Sequence, residues 1–399
     1  MHASILVAAL VRFRANRRRL GAAPGSSCAS SAGRGATLIA WFAGLLFCFV
    51  LLCLAGQPSA ASPAGTQVLA QARAEGVVVV YGTTDRAAAE PLIRDFETLY
   101  PGVNVDYHEL ESAECHRRFV KEYAEGSASA DVVWSSAMDL QVKLVNDGHA
   151  MRYRATEIDN LPAWSVWRAE AYGTTFEPLG LAYDERAIPQ QQLPRTHADL
   201  ARFLATGGSR FTDKVLAYDP ANAGLGFLVA TQDARASPAF WEIARAMGRA
   251  GVRLQSSTSA MLDGIASGQS LLAYNVLGSY SQRRALSDPS IGLVYLRDYT
   301  LVVSRIAFIN RRAAHPHAAR LWLDYLLSRR GQTVLAQQSG LFSLRDDVPG
   351  DQTAAALKRM LGESLKPIAI GPSLMVYLDP GKRAEFLKEW NRAMTSAKP

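Results

Sequence analysis

Residues 75–108 read EGVVVVYGTTDRAAAEPLIRDFETLYPGVNVDYH, and this stretch limits the possible folds more than any other. The apolar run at 77–81 predicts a buried strand over 77–82 that ends in a small polar turn, Gly82-Thr83-Thr84-Asp85. Leu92, Ile93, Phe96 and Leu99 then share one side of a helix expected over 86–99, with Pro91 inside to kink it or delay its start. Pro101-Gly102 stops the helix, and a second strand is expected over 103–109. A strand, a hydroxyl-rich turn, an amphipathic helix and a strand form the opening β-α-β unit of an open α/β sheet. Ligands of such sheets sit beyond the carboxyl ends of the strands, here at Thr83 and Thr84. The turn has neither GxGxxG nor the GxxxxGK pattern of a phosphate loop, so neither nucleotide reading is supported.

The first sixty residues read as a targeting segment. Arg12, Arg14, Arg17, Arg18, Arg19 and Arg34 occur there without an acidic residue, an apolar run covers 38–56, and small residues follow at 57–62. That order is a secretory signal, with cleavage expected after Ala61. The apolar run is also long enough for an uncleaved membrane anchor. Arg17-Arg18-Arg19 resembles a twin-arginine signal only weakly, and Leu52 before Cys53 weakens a lipoprotein reading. Loss of the six arginines lowers the formal charge from +7 to about +1, so the basic balance carries no argument for nucleic acid. Cys115 is the one cysteine left, and no disulfide can form within the mature chain. The roughly 340 remaining residues exceed what one core serves, and two lobes are expected.

After a flexible lead (62–75), the first lobe is expected over 76–180. Beyond the opening unit it holds a helix at 113–125 capped by Ser112, a strand at 131–135 and a helix at 138–147. A second lobe spans 181–296, with strands at 215–218 and 270–275 and helices after 224, at 238–250 and at 257–267. Residues 297–399 return to the first lobe and add C-terminal helices, including 316–328 and 330–338. Hinges are expected at 176–185 and 296–301.

Five polar turns recur at strand ends or before helices: Thr83-Thr84-Asp85, Ser135-Ser136, Asn222 to Gly226, Ser256 to Ser259, and Asn275 with Ser279. Small hydroxyl and glycine residues leave helix N-terminal N–H groups open to an anion. Each turn alone reads as plain N-capping; the set across two lobes points to a ligand cleft. The candidate ligand-binding residues are Thr83, Thr84, Ser135 and Ser136 from one lobe and Asn222, Gly224, Ser257 and Asn275 from the other. Among the tyrosines Tyr81, Tyr183, Tyr274, Tyr280 and Tyr299, Tyr299 is the strongest candidate, beside Asp298. Arg305, on the strand that follows, can pair with an acidic ligand or simply be satisfied at a lobe surface. His108 to His116 looks like a metal cluster but lacks CxxC or HExxH spacing and reads as a solvated strand end. There is no GxSxG motif, no serine stands in a nucleophile context, and Cys115 is a lone helical thiol, so no catalytic residue is expected.

The segments VVVYGTTD, FETLYPGVNVDYHELES, ADVVWSSAMD, EPLGLAYDERAIP, DPANAGLGF, LLAYNVLGSYSQRRA and DYTLVVSRIAFINRRAAHPHAARLWLDYLLSRRGQ, in that order, resemble the substrate-binding proteins of bacterial ABC importers. They are most similar to the group that binds ferric ion, phosphonate, phosphoglycerate and sugar phosphate. The resemblance covers nearly all of 76–345. It implies an α/β, type II periplasmic binding fold: two lobes, two crossover strands and a cleft that closes on ligand. It also implies a monomeric periplasmic protein without a cofactor, delivering solute to a permease and ATPase in the inner membrane, and not an enzyme. Ferric binders carry a tyrosine pair after the asparagine of the last strand of lobe two; this chain has Asn275-Val276-Leu277 and a single Tyr280. An organic anion, phosphorylated or carboxylated, is therefore expected, with Fe(III) as the alternative ligand. Two other readings remain: an anchored ligand sensor for a signalling partner, and a bilobal enzyme of the tetrapyrrole-forming deaminase kind, for which Cys115 stands in the wrong context.

Overall fold

The computed structural model describes residues 63–395. The expected signal segment, its cleavage site and the possible anchor lie outside the described residues. In chain order the elements are α1 (Pro63–Glu75), β1 (Val77–Gly82), α2 (Arg86–Leu99), β2 (Asn104–Glu109), α3 (Ser112–Glu125), β3 (Val132–Ser135) and α4 (Met138–Asn146). Short strands β4 (Val166–Trp167) and β5 (Ala171–Gly173) lead to the long β6 (Glu177–Asp184). Then come α5 (His197–Thr206), β7 (Val215–Tyr218), α6 (Gly224–Ala236), α7 (Ala239–Arg249), β8 (Arg253–Gln255), α8 (Thr258–Ala266), β9 (Leu272–Leu277), α9 (Gly278–Ser287) and β10 (Ile291–Val294). The chain closes with β11 (Thr300–Val303), β12 (Ile306–Ile309), α10 (Pro316–Leu327), α11 (Arg329–Gln337), α12 (Ala354–Leu361), β13 (Leu365–Pro367) and α13 (Pro380–Thr395).

Two sheets form. The first has the order β2-β1-β3-β12-β5-β4; the second runs β13-β11-β6-β9-β7-β8, with β10 antiparallel to β6. β1 pairs in parallel with both β2 and β3, as the opening β-α-β unit requires. Phe96, on the buried face of α2, packs edge-on against Trp322 of α10 at 5.1 Å, and both are fully buried. Truncating such a core ring to alanine costs about 3–5 kcal/mol.

The sheets are joined where two extended segments lie side by side. Thr174 N–H donates to Arg305 O at 2.9 Å, and Arg305 N–H donates to Thr175 Oγ1 at 3.0 Å. The first passage is thus at 174–176, just ahead of the expected hinge at 176–185. The second is at Ser304-Arg305, later than the expected 296–301, because β11 is still paired with β6.

The lead and the tail also differ from expectation. Residues 63–75 are helical, not a flexible lead. Ala72 is buried against the first lobe, and the Glu75 carboxylate accepts the N–H groups of His317 (3.0 Å) and Ala318 (2.8 Å) at the start of α10. One helix thereby caps another and is held in place. His315 serves the same end of α10, with its ring Nδ1 2.8 Å from Asp131 Oδ2. Only part of the tail remains with the first lobe, where Ile370 N–H donates to Trp164 O at 2.9 Å. β13 pairs with β11, and α13 packs Phe386 and Trp390 onto Phe240 of α7 in the second. Alternating apolar residues in a terminal helix reveal a buried face, but not which lobe covers it.

Candidate functional site

A cavity of about 420 Å³ opens between the sheets at the carboxyl ends of β1, β3, β7 and β9. From the first lobe it is lined by Thr83, Asp85, Ser136, Ser112, Leu110 and the carboxylates of Glu109, Glu111 and Glu114. From the second come Tyr218, Leu225, Ser256 to Ser259, Leu277 and Tyr280, and Arg305 lies at the crossover.

β1 and β3 are neighbours, so their terminal turns meet. Thr83 N–H donates to Trp134 O, and Ser136 N–H donates to Thr83 Oγ1 at 3.1 Å. The two hydroxyls stand 3.4 Å apart. Opposite them Ser257 caps α8, its Oγ accepting Ala260 N–H at 3.2 Å. The N–H groups at the very start of α8 carry the positive end of the helix dipole at the cavity wall. Thr258 turns inward, where its hydroxyl meets Tyr218 Oη at 2.5 Å and accepts Leu277 N–H at 3.1 Å.

Arg305 is the dominant charge of the site. Its side chain is 1 % exposed. Nη1 donates to Thr83 O at 3.3 Å, while Nε and Nη2 make no hydrogen bond to the protein. Glu177, fully buried, lies 3.8 Å from Nε, an ion-pair distance but too long for a hydrogen bond. Burial pulls the guanidinium pKa down, but Tyr280, Glu177, Tyr107 and Asp85 more than offset this and hold it above its ordinary value. Burial raises the Glu177 pKa, and Arg305 opposes the shift. A buried guanidinium with unused donors beside a cavity has the chemistry to pair with an anion.

The two lobes also touch directly. Tyr280 Oη donates to Asp85 Oδ1 at 3.1 Å and accepts Asp85 N–H at 3.0 Å, and Ser259 Oγ donates to Asp85 Oδ2 at 2.9 Å. Desolvation and the neighbouring Asp85 raise the Tyr280 pKa to about 12, with Arg305 opposing, so the phenol stays neutral. Leu225 N–H donates to Ser112 Oγ at 3.2 Å. Ser112 is therefore not the cap of its own helix, as expected, but of α6 across the cleft.

Of the nine candidate residues, Thr83, Ser136 and Ser257 line this cavity. The other six do not. Thr84 is fully buried behind the turn, its carbonyl accepting Tyr107 Oη at 2.6 Å. Ser135 Oγ accepts Ala137 N–H within its own turn. Asn222 folds onto Asp219, its Nδ2 donating to Oδ2 at 2.7 Å. Gly224 faces Ser112, Ala137 and Leu140 at the contact between lobes. Asn275 is not at a strand end, because β9 runs on to Leu277. It has a left-handed φ of 60°, beside an irregular register between β9 and β6, and its Nδ2 donates to buried Asp233 at 2.9 Å. Tyr299 also donates its hydroxyl to Asp233 and stacks on His197 at 3.7 Å, inside the second lobe. Arg305, which the sequence left between a ligand partner and a satisfied surface residue, lines the cavity beside the uncharged donors.

Tyr280 and Arg305 were legible as candidates; Tyr218, Ser112 and the carboxylates were not. Among the described residues no group of three or more His, Cys, Asp or Glu side chains is arranged to hold a metal ion. His108 bonds to Asp106 on an exposed strand instead.

Comparison with known proteins agrees with this geometry. Residues 77–341 match the family model described as bacterial extracellular solute-binding protein. The substrate-binding protein of an ABC transporter from Agrobacterium tumefaciens is 37% identical, with a TM-score of 0.76 over 80% of this chain and 94% of that one. Iron-bound HitA from Pseudomonas aeruginosa (17% identity, TM-score 0.60, 79% and 99% covered) shares the fold. So does AfuA from Actinobacillus pleuropneumoniae with fructose-6-phosphate bound (16%, 0.65, 80% and 99%). A comparison with curated protein sequences gives no match. The chain belongs to the family of bacterial extracellular solute-binding proteins and has the two-sheet α/β fold of the type II periplasmic binding proteins.

Proposed function

We propose that this protein is the periplasmic solute-binding component of an ABC importer. It captures a small organic anion, phosphorylated or carboxylated, by closing its lobes, and hands it as a monomer to a permease and ATPase complex. The observation that carries this reading is Arg305: a buried guanidinium with two nitrogens unused, beside a cavity walled by Thr83, Ser136 and the start of α8. Hydroxyls and helix N–H groups orient the anion, and the guanidinium supplies the charge. A cavity near 420 Å³ suits a small metabolite. The similarity to an ABC transporter's binding protein and to a sugar-phosphate-bound one supports the same reading.

Hinge closure follows from where Arg305 sits. The passages at 174–176 and 304–305 are two hydrogen-bonded extended segments outside the strands, and bending there moves the lobes without breaking either sheet. A ligand touching Arg305 and both walls favours the closed form because only that form offers all its contacts.

Ferric ion is the second reading. Asp85, Glu109, Glu111 and Tyr280 are hard oxygen donors in the same cavity, though not arranged as a metal site in this form, and iron-bound HitA shares the fold. Isothermal titration with sugar phosphates, alkyl phosphates, dicarboxylates and ferric citrate separates the two. Binding of an organic phosphate or carboxylate, reduced at least a hundredfold by Arg305→Met, is the expected result. Binding of ferric citrate alone overturns it in favour of iron. Because removal of Arg305 strands Glu177, the variant is paired with Glu177→Gln to preserve folding.

A further inference from the structure

Resting on the reading of this cavity as an anion site, we infer that Glu177 is a positioning residue for Arg305 and takes up a proton when an anion binds there. Ligand capture is thereby coupled to protonation. Glu177 is the first residue of β6, fully buried just after the passage at 174–176, and its backbone pairs with Val303 of β11. Its carboxylate oxygens form no hydrogen bond, and Oε1 stands 3.8 Å from Arg305 Nε. Two hydroxyls flank it without closing a hydrogen bond: Thr175, which already accepts Arg305 N–H, and Ser279 near the start of α9. Tyr295, after β10, is a further titratable neighbour; burial keeps its phenol neutral, and it accepts Gln282 Nε2–H at 3.3 Å. Asp85, Tyr280 and Tyr107 also act on Arg305.

A fully buried carboxylate keeps its charge only through partners. Burial favours the protonated form of Glu177, and the Arg305 guanidinium is the main influence against it. That guanidinium lines the cavity, and its Nη2 makes no hydrogen bond to the protein. An anion held there and Glu177 are then both within reach of one guanidinium. The second negative charge offsets the field that sustains the carboxylate, and a proton passes from solvent to Glu177. A nearby negative charge raises a carboxyl pKa, so the liganded protein holds more protons than the empty one. Affinity for an anion therefore rises as pH falls. Once Glu177 is neutral, the guanidinium charge serves the ligand alone.

The test counts protons. Isothermal titration of the purified protein with fructose 6-phosphate, ethyl phosphate and succinate, in two buffers of different ionisation heat, gives the proton uptake per ligand bound. Protons taken up by the ligand itself are common to the parent and Glu177→Gln, so the difference belongs to Glu177. With a probe that binds, the parent is expected to take up roughly a third of a proton more than the variant near pH 7. It should also lose about fivefold more affinity than the variant between pH 6 and pH 8. At pH 8 the variant, an uncharged mimic of the protonated acid, is expected to bind at least as tightly as the parent; a merely structural role would weaken it at every pH. Glu177→Asp, which keeps a carboxylate, is expected to restore the uptake. Glu177→Met provides the same comparison should the glutamine variant not fold. Equal uptake and an equal pH profile in parent and variant overturn the coupling and leave the anion site standing. Silence of all three probes overturns the anion site and the coupling with it.

Discussion

Arg283 Nη2 lies 3.1 Å from the carbonyl oxygen of Ala87, the acceptor that Pro91 leaves without its helical partner. A proline cannot donate to the carbonyl four residues earlier. Here that carbonyl sits on the first lobe and the arginine that reaches it is on α9 of the second. The same guanidinium donates to Ser339 O at 3.3 Å. A local defect in one helix thus becomes a contact that exists only when the lobes are together.

Removing that contact should loosen closure without disturbing either lobe. Arg283→Ala loses both of these charge-assisted hydrogen bonds, to Ala87 O and Ser339 O, together worth about 1 kcal/mol at so exposed a position. Ligand affinity is expected to fall about fivefold, and small-angle scattering of the ligand-free protein should show a larger radius of gyration. An unchanged radius and affinity would show that closure does not depend on Arg283.

Gly224 allows a closer approach. A Cβ there would stand 3.0 Å from Ser112 Oγ, 3.1 Å from Leu140 Cδ1 and 3.2 Å from Ala137 Cβ, all on the opposite lobe. Gly224→Leu places a whole side chain in that gap. Gly224 is the first residue of α6, where no intrahelical N–H bond depends on it, so thermal stability should hold while affinity drops at least tenfold. Loss of stability together with affinity would mean the residue matters for folding and not for closure.

Tyr299 is a test of site against core. Its hydroxyl and that of Tyr274 both donate to Asp233, which is fully buried. Tyr299→Phe takes one donor from a buried carboxylate and should cost about 1.5–3 kcal/mol in urea unfolding. Ligand affinity should stay within twofold, because the ring is inside the second lobe. A large affinity loss would return Tyr299 to the binding site.

Asp139 gives stability a pH dependence. Burial pushes its carboxyl up to about 7, with the Leu140 N–H opposing at 2.9 Å from Oδ1. A raised acid favours the folded state fully below its unfolded pKa, and that contribution is lost as pH climbs toward 7. Asp139→Asn keeps the acceptor and removes the titration. It should therefore exceed the parent protein in stability by up to roughly 4 kcal/mol at pH 8 and match it near pH 4. Urea unfolding at both pH values measures this; a difference independent of pH would refute it.

Local patterns announced much of the architecture. The 77–109 unit, the strand into Ser135-Ser136 and the helices after 138, 224, 258 and 316 all follow from short-range periodicity and turn chemistry. Thr83, Ser136 and Ser257 could be singled out because parallel strands place their carboxyl ends together. The same rule misplaced Asn275: a left-handed residue inside a strand reverses where the side chain points, and no pattern of residue types shows it.

What the chain's sequence determined alone was its class, its two lobes and the polar turns that border the cleft, since these depend on neighbours a few residues apart. Tertiary structure decided the rest. It brought Arg305 beside Thr83, some 220 positions away, set the Ser112 hydroxyl over the start of a helix in the other lobe, and carried the final helix across to α7. Such pairings hang on the closure of long loops and on which buried charge finds which partner, and those energies are settled only when the whole chain has packed.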